Sequence, residues 1–303
     1  MALARDGLQA DPLDARRFPT GLIHFVYEVA LRDRPTVVVR ISRQENREIC
    51  RSAARLSALL RGRAAPLPSL LFDGSEGEWP FLILERLPGQ DLGKVIAGLT
   101  TLQRRRIADR VASAQAIAMG LPSSGRYGFA ASADAAPFRR WSEVLSAHLA
   151  RSRSRLAGRD LFGPSIFDAC HELLLKLTHK ADRVEATPFL HDTTTKNVIV
   201  TDAGDFSGIV DVDDLCYGDP RYAMALTTAS LLASEPGALD YVRAWMASAG
   251  AADDDLFRLY VVLFLVDFMS EHALAFNGNR AASSKDARAA LEQVFRRALQ
   301  DVV

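Results

Sequence analysis

The stretch "LHDTTTKNVIVTDAGDFSGIVDVDDLCYGDP", residues 190–220, crowds aspartates, an asparagine and a lysine around two short apolar runs. "NVIV" and "FSGIVD" flank "TDAGD", a pattern that predicts a β-hairpin with buried strands. A rigid hairpin fixes what stands at its ends, so Asp192 and Asn197 before its first strand and Asp211 after its second can converge on one point. Converging carboxylates repel unless a cation sits between them. Aspartate and asparagine are hard oxygen ligands of the kind Mg²⁺ accepts, usually with substrate phosphates completing its shell. Asp213 lies two residues beyond Asp211 on the same side of an extended chain, so it is placed for a second metal or for an acceptor.

The elements that must position these residues differ along the chain. Up to about residue 90 short β-favouring runs dominate: Leu22–Leu31, Pro35–Ile41, Ser69–Gly74 and Phe81–Glu85. One helix interrupts them, with Ile49, Ala53, Leu56 and Leu60 at helical spacing and Gly62 as its stop. After "LPGQDL" long helical segments take over, apart from the hairpin. This organisation predicts an α+β chain with a small sheet-rich N-terminal lobe (1–86), a hinge (87–92) and a larger, mostly helical C-terminal lobe (93–303). The apolar run Leu259–Val266 is far shorter than the roughly 20 residues a membrane span needs, and reads as a buried helix.

With 37 basic and 37 acidic side chains the chain has no bulk attraction for nucleic acid or an anionic membrane, and neither is expected as a partner. The first residues carry Asp6, Asp11 and Asp14 with no apolar core, unlike a signal peptide. Cys50, Cys170 and Cys216 form no CxxC pair, which fits a reducing cytoplasm and no structural zinc. The chain is expected to be cytoplasmic and to work as a monomer or weak homodimer.

Taken in order, these motifs resemble the aminoglycoside phosphotransferase and choline kinase group, small-molecule kinases with a protein-kinase-like fold. "HDTTTKNVIV" resembles the catalytic loop of that group, "GIVDVDDLCYGDPRYAMAL" its metal-binding segment, "FLILERLPGQDL" its hinge and "VVVRI" its phosphate-contacting strand. The resemblance implies ATP (or GTP) and Mg²⁺ as cofactors and a small-molecule hydroxyl as acceptor. It implies Asp192 as the catalytic base and Asn197, Asp211 and Asp213 as metal ligands. Arg40 would fork onto the nucleotide phosphates, steadied by Glu45 or Glu48, of which Glu48 has the better spacing. Backbone groups around Glu85 and Leu87 would hold the base, and Gly21 would stand in the phosphate-covering turn. Asp267 and Glu271, one turn apart beside Phe264 and Phe268, are the expected acceptor-binding pair. The chain departs from the group at Leu190, where a histidine is usual, and at Ala223, where an aspartate is common. With Arg40 and the poor glycine turn, these departures leave a catalytically weak nucleotide-binding module as the alternative.

Overall fold

The computed structural model describes residues 1–18, 24–274 and 284–302. A short helix α1 (Ala2–Leu8) precedes five strands: β1 (Pro12–Arg17), β2 (Phe25–Leu31), β3 (Arg34–Ile41), β4 (Leu70–Gly74) and β5 (Phe81–Glu85). They pair antiparallel in the order β1-β2-β3-β5-β4, and helix α2 (Arg47–Arg61) connects β3 to β4. Strand alternation explains how this sheet is covered. Val37 and Val39 point to one face, where Val29, Leu31 and Ile83 join them against Ala4 of α1. The opposite face of β5 packs Leu82 against Cys50, Ala53 and Ala54 of α2. Arg40 is Leu82's cross-strand partner and shares that second face. The strand β1 was not expected: "PLDARR" is an edge strand with most of its side chains in solvent, so it carries no apolar alternation to read.

The chain then turns through Gly89, whose φ of +99° suits glycine, and a Cβ there would stand 1.9 Å from the Val200 carbonyl oxygen. Strand β6 (Gln90–Asp91) follows at once, then α3 (Thr101–Met119), β7 (Gly128–Ala130), α4 (Trp141–Leu156), α5 (Ser165–Ala181) and β8 (Thr187–Phe189). The predicted hairpin is β9 (Val198–Val200) and β10 (Phe206–Ile209), with Gly204 at φ +80° in its turn. β6 pairs with β9, so the segment after Gly89 is fastened to the hairpin. β11 (Leu215–Gly218) lies between β7 and β8. The remaining helices are α6 (Arg221–Ser234), α7 (Leu239–Ser248), α8 (Asp255–Glu271) and α9 (Lys285–Gln300).

Helix α8 is apolar on nearly every side and runs through the core, as the run Leu259–Val266 predicted. Asp254 caps it by accepting from the Phe257 N–H at 3.0 Å. No helix among the described residues is long and apolar enough to cross a membrane. The three cysteines are buried and free.

Candidate active site

The loop before β9 is held from several sides. Gln115 of α3 accepts from the Leu190 N–H at 2.9 Å and donates to the Leu190 carbonyl at 2.7 Å and to Thr193 Oγ1 at 3.1 Å. The Gly93 N–H donates to the Thr195 carbonyl at 2.9 Å, and Thr193, Thr194 and Thr195 are buried. A buried glutamine that satisfies both backbone groups of one residue fixes the path of the chain there. The sequence offered no periodicity that marks Gln115; it is a single polar residue on the buried face of a helix.

Asp192 emerges from this loop with an exposed face, yet enough protein surrounds it that burial pushes its carboxyl above the ordinary range. The nearby Asp211 acts in the same direction and hydrogen bonding from Thr194 opposes it; Thr194 Oγ1 donates to Oδ1 at 2.8 Å. Asn197 donates its Nδ2 to the Asp192 carbonyl at 3.0 Å, which turns its Oδ1 away from that bond and leaves it available to a cation. The Val210 N–H donates to the Asn197 carbonyl at 2.9 Å, so the hairpin brings Asp211 beside Asn197. Asp211 takes a left-handed φ of +63°, a conformation that a short polar side chain tolerates and that recurs at functional sites. Among the described residues no three His, Cys, Asp or Glu side chains form a ready cage for a metal ion. Two hard oxygen donors without a complete cage fit Mg²⁺, which takes a few protein ligands and completes its shell with phosphates and water.

Arg40 of β3 lies beside this pair, its side chain only 7% exposed, with Nη1 at 3.5 Å from Asp211 and Nη2 paired with Asp213. His24 Nε2 is 2.6 Å from Arg40 Nη2 and 3.1 Å from Asp213 Oδ2, and its Nδ1 is 2.9 Å from Ser42 Oγ. Burial first, and Arg40 second, push the His24 imidazole down to about 4, so it is neutral at physiological pH. Asp213 is therefore engaged by Arg40 and His24, where the sequence placed it with the metal or the acceptor.

The expected Arg40–Glu48 pair is not formed. Glu48 is 74% exposed and pairs with Arg51, which in turn reaches Glu76. The reason is helical phase: Glu48 stands two residues, about 200° around the helix, from the buried Cys50. Glu45 instead lies 3.6 Å from Arg43. Gly21 lies outside the described residues. The Glu85 side chain accepts from Ser69 N and Oγ at 3.0 and 2.7 Å, and the Leu87 carbonyl accepts from Arg86, whose guanidinium also reaches Glu28 at 2.8 Å and the Gly89 carbonyl at 3.0 Å.

The acceptor pair divides. Asp267 is buried and accepts from Ser152 Oγ at 2.8 Å, Arg155 Nη1 at 2.9 Å and Arg151 Nη2 at 3.3 Å. Its charge is already matched by two guanidiniums of α4, so it is not the open acidic group expected. Glu271 is half-buried, and burial, then Asp267, push its carboxyl up, while Lys196 and the two arginines draw it down. Lys196 is exposed and acts on both Asp192 and Glu271, so the surroundings of Asp192 carry both signs of charge. His191 is packed against Phe129, Tyr222 and Phe264 at centroid distances of 4.6, 5.7 and 6.0 Å. Burial holds it down to about 3, so it is a neutral packing group. Asp214 is pushed up to about 6 by burial. Asp219 is structural: it pairs with Arg221 at 2.7 Å and accepts from Tyr260 OH at 3.0 Å, which in turn accepts from Trp141 Nε1 at 2.7 Å.

The family model for the phosphotransferase enzyme family (APH) matches residues 14–259. No curated protein matches the chain. Among solved structures, the GDP and kanamycin complex of APH(2'')-IIIa is 17% identical with a TM-score of 0.72, covering 100% of this chain and 98% of that one. The streptomycin–ATP complex of APH(2'')-IIa is 11% identical with a TM-score of 0.68, covering 100% and 97%. A protein from Haemophilus somnus 129PT that carries the name fructosamine-3-kinase is 15% identical with a TM-score of 0.67, covering 97% and 95%. At such identities the likeness concerns the fold, which is the two-lobe, protein-kinase-like α+β arrangement the motifs implied.

Proposed function

The chain belongs to the phosphotransferase enzyme family, and from that premise we propose that it transfers the γ-phosphate of ATP or GTP to a hydroxyl of a small molecule. The observation that carries this reading is the convergence of Asp192, Asn197 and Asp211 at the two ends of one hairpin, beside the guanidinium of Arg40. We take residues 1–86 as the nucleotide-binding lobe, 87–92 as the hinge and 93–303 as the lobe that carries the base and the acceptor site. The nucleotides of the structurally similar enzymes support this assignment.

In this reading the nucleobase hangs from backbone groups of Glu85 to Leu87, and Arg40 forks onto the phosphates. Asn197 Oδ1 and the Asp211 carboxylate would hold Mg²⁺, which when bound neutralises charge on the β- and γ-phosphates. Asp192 accepts or orients the hydroxyl proton. The acceptor oxygen forms a bond to the γ-phosphorus, the bond from that phosphorus to the β–γ bridging oxygen breaks, and the nucleoside diphosphate leaves with the electron pair. A raised carboxyl suits this role, because a base nearer to neutral pH takes a proton more effectively. Glu271 and Lys196 border the place we assign to the acceptor, and a hydroxylated compound with an amine or other donor suits Glu271.

The weak-module reading draws on Leu190 and on the engagement of Arg40 by carboxylates. One experiment separates the two. Mg²⁺ with ATP or GTP is expected to raise the melting temperature, and a panel of aminoglycosides, sugars and amino alcohols is expected to contain a compound that stimulates diphosphate release. Asp192→Asn should keep the melting shift and lose at least about a hundredfold in turnover. A thermal shift with no transfer to any hydroxylated compound favours the binding module, and no shift at millimolar nucleotide excludes both.

A further inference from the structure

Nothing on α2 holds Arg40. A buried guanidinium must be matched by charge and hydrogen bonds, because an uncompensated cation in the interior is strongly unfavourable. In α2 the residues packed against Leu82, the register partner of Arg40, are Cys50, Ala53 and Ala54, and Glu48 is turned to solvent with Arg51. Two groups from elsewhere take that place. Asp213 comes from the loop between β10 and β11, 173 residues away in sequence, and His24 stands immediately before β2.

We propose that Asp213 and His24 are the positioning residues of Arg40: they hold its guanidinium for the nucleotide phosphates, and Asp213 is not a metal ligand. This rests on the phosphotransfer reading above and names a role within that site. The Arg40 side chain is 7% exposed, that of His24 is 5% and that of Asp213 is 21%, so the triad is largely shielded from water. Asp211, the remaining carboxylate near Arg40, is 56% exposed and its closest approach to the guanidinium is 3.5 Å. The two aspartates thereby divide the work, with Asp211 open to solvent and phosphates and Asp213 turned inward to the arginine.

The imidazole can serve both of its neighbours, though not at once. Nε2 accepts from Arg40 when Nδ1 carries the proton and donates it to Ser42 Oγ. In the other tautomer Nε2–H donates to Asp213 Oδ2 and the Ser42 hydroxyl donates to Nδ1. When Arg40 moves toward phosphate, the ring can therefore turn to Asp213 without leaving a half-buried carboxylate oxygen bare. Because His24 immediately precedes β2, this contact also ties the start of β2 to the segment carrying Asp211.

The test has one arm without nucleotide and one with it, both on the full chain. In the first, phenylglyoxal modification is mapped by mass spectrometry. Arg40 is expected to be protected in the parent and in Glu48→Gln, and to become reactive in Asp213→Asn and His24→Ala, with His24→Gln partly protected because its amide can replace Nε2. In the second, calorimetry measures ATP binding with and without Mg²⁺. Asp213→Asn and His24→Ala should weaken metal-free ATP binding by about tenfold, the loss of one hydrogen bond to a charged group, and leave the enhancement by Mg²⁺ at the parent value. Asp211→Asn should do the reverse. Equal protection of Arg40 in all variants, a collapse of the Mg²⁺ enhancement in Asp213→Asn, or a Glu48→Gln effect as large as that of Asp213→Asn would overturn the assignment. A parent that binds neither ATP nor GTP removes the phosphotransfer reading and the phosphate role with it, while the modification arm still decides what holds Arg40.

Discussion

Replacing Asp267 by asparagine is expected to cost folding stability and not acceptor affinity. The carboxylate is 12% exposed at its side chain and is matched by Arg151 and Arg155 of α4, with Ser152 Oγ donating at 2.8 Å. Asparagine keeps the shape and one acceptor oxygen, so both guanidiniums lose their counter-charge while the packing changes little. Breaking a buried ion pair by removing one partner costs about 3–5 kcal/mol. Arg155 is 26% and Arg151 47% exposed, so water screens the charges left behind, and the expected loss falls to about 2–3 kcal/mol. In a chain of this size that lowers Tm by about 3–5 °C.

The same change carries a pH signature. Burial alone would raise the Asp267 carboxyl, but His148, Arg151 and Ser152 outweigh it and hold it well below the ordinary value of 3.8. Its folded pKa is depressed, so the stability it contributes is present above the unfolded value and is lost as pH falls toward the folded one. Calorimetric melts should therefore show the full gap between parent and Asp267→Asn above about pH 5 and a narrowing gap below about pH 4. A variant that melts within about 1 °C of the parent at pH 7 while the acceptor KM rises would show that the carboxylate is free for substrate, and would refute the reasoning.

Gly218→Ala would place a Cβ 2.2 Å from Cζ3 of the fully buried Trp141, and overpacking of this kind should cost about 1–3 kcal/mol in denaturant unfolding. Gly89→Ala meets backbone rather than a side chain and adds the strain of a positive φ; it should lower stability by more than about 2 kcal/mol and weaken nucleotide binding, since the segment fastened to β9 must shift. His191, held down to about 3, should show no imidazole titration by NMR between pH 5 and 8; a midpoint near 6 would mean that its aromatic surroundings open to water.

The sequence by itself determined the elements and their facing. The period of two in "VVVRI" set Val37 and Val39 against Arg40, the apolar run of α8 demanded burial, and the turn residues in "TDAGD" put Asp192, Asn197 and Asp211 at the ends of a hairpin. Those are local properties, because spacing along a strand, helix or hairpin fixes which way each side chain points within a few residues. Partner choice is not local. Whether Arg40 would meet Glu48 or Asp213 depended on the rotational phase of α2 against the sheet and on how the two lobes close. Whether Asp267 would face an acceptor or two arginines depended on the packing of α4 across α8, more than a hundred residues apart in sequence. Gln115 and His24 carry no pattern of their own and acquire their roles only from the backbone and the guanidinium that the tertiary fold brings to them. A charged side chain is paired by whatever arrives within about 4 Å, and that distance is decided by the packing of whole elements.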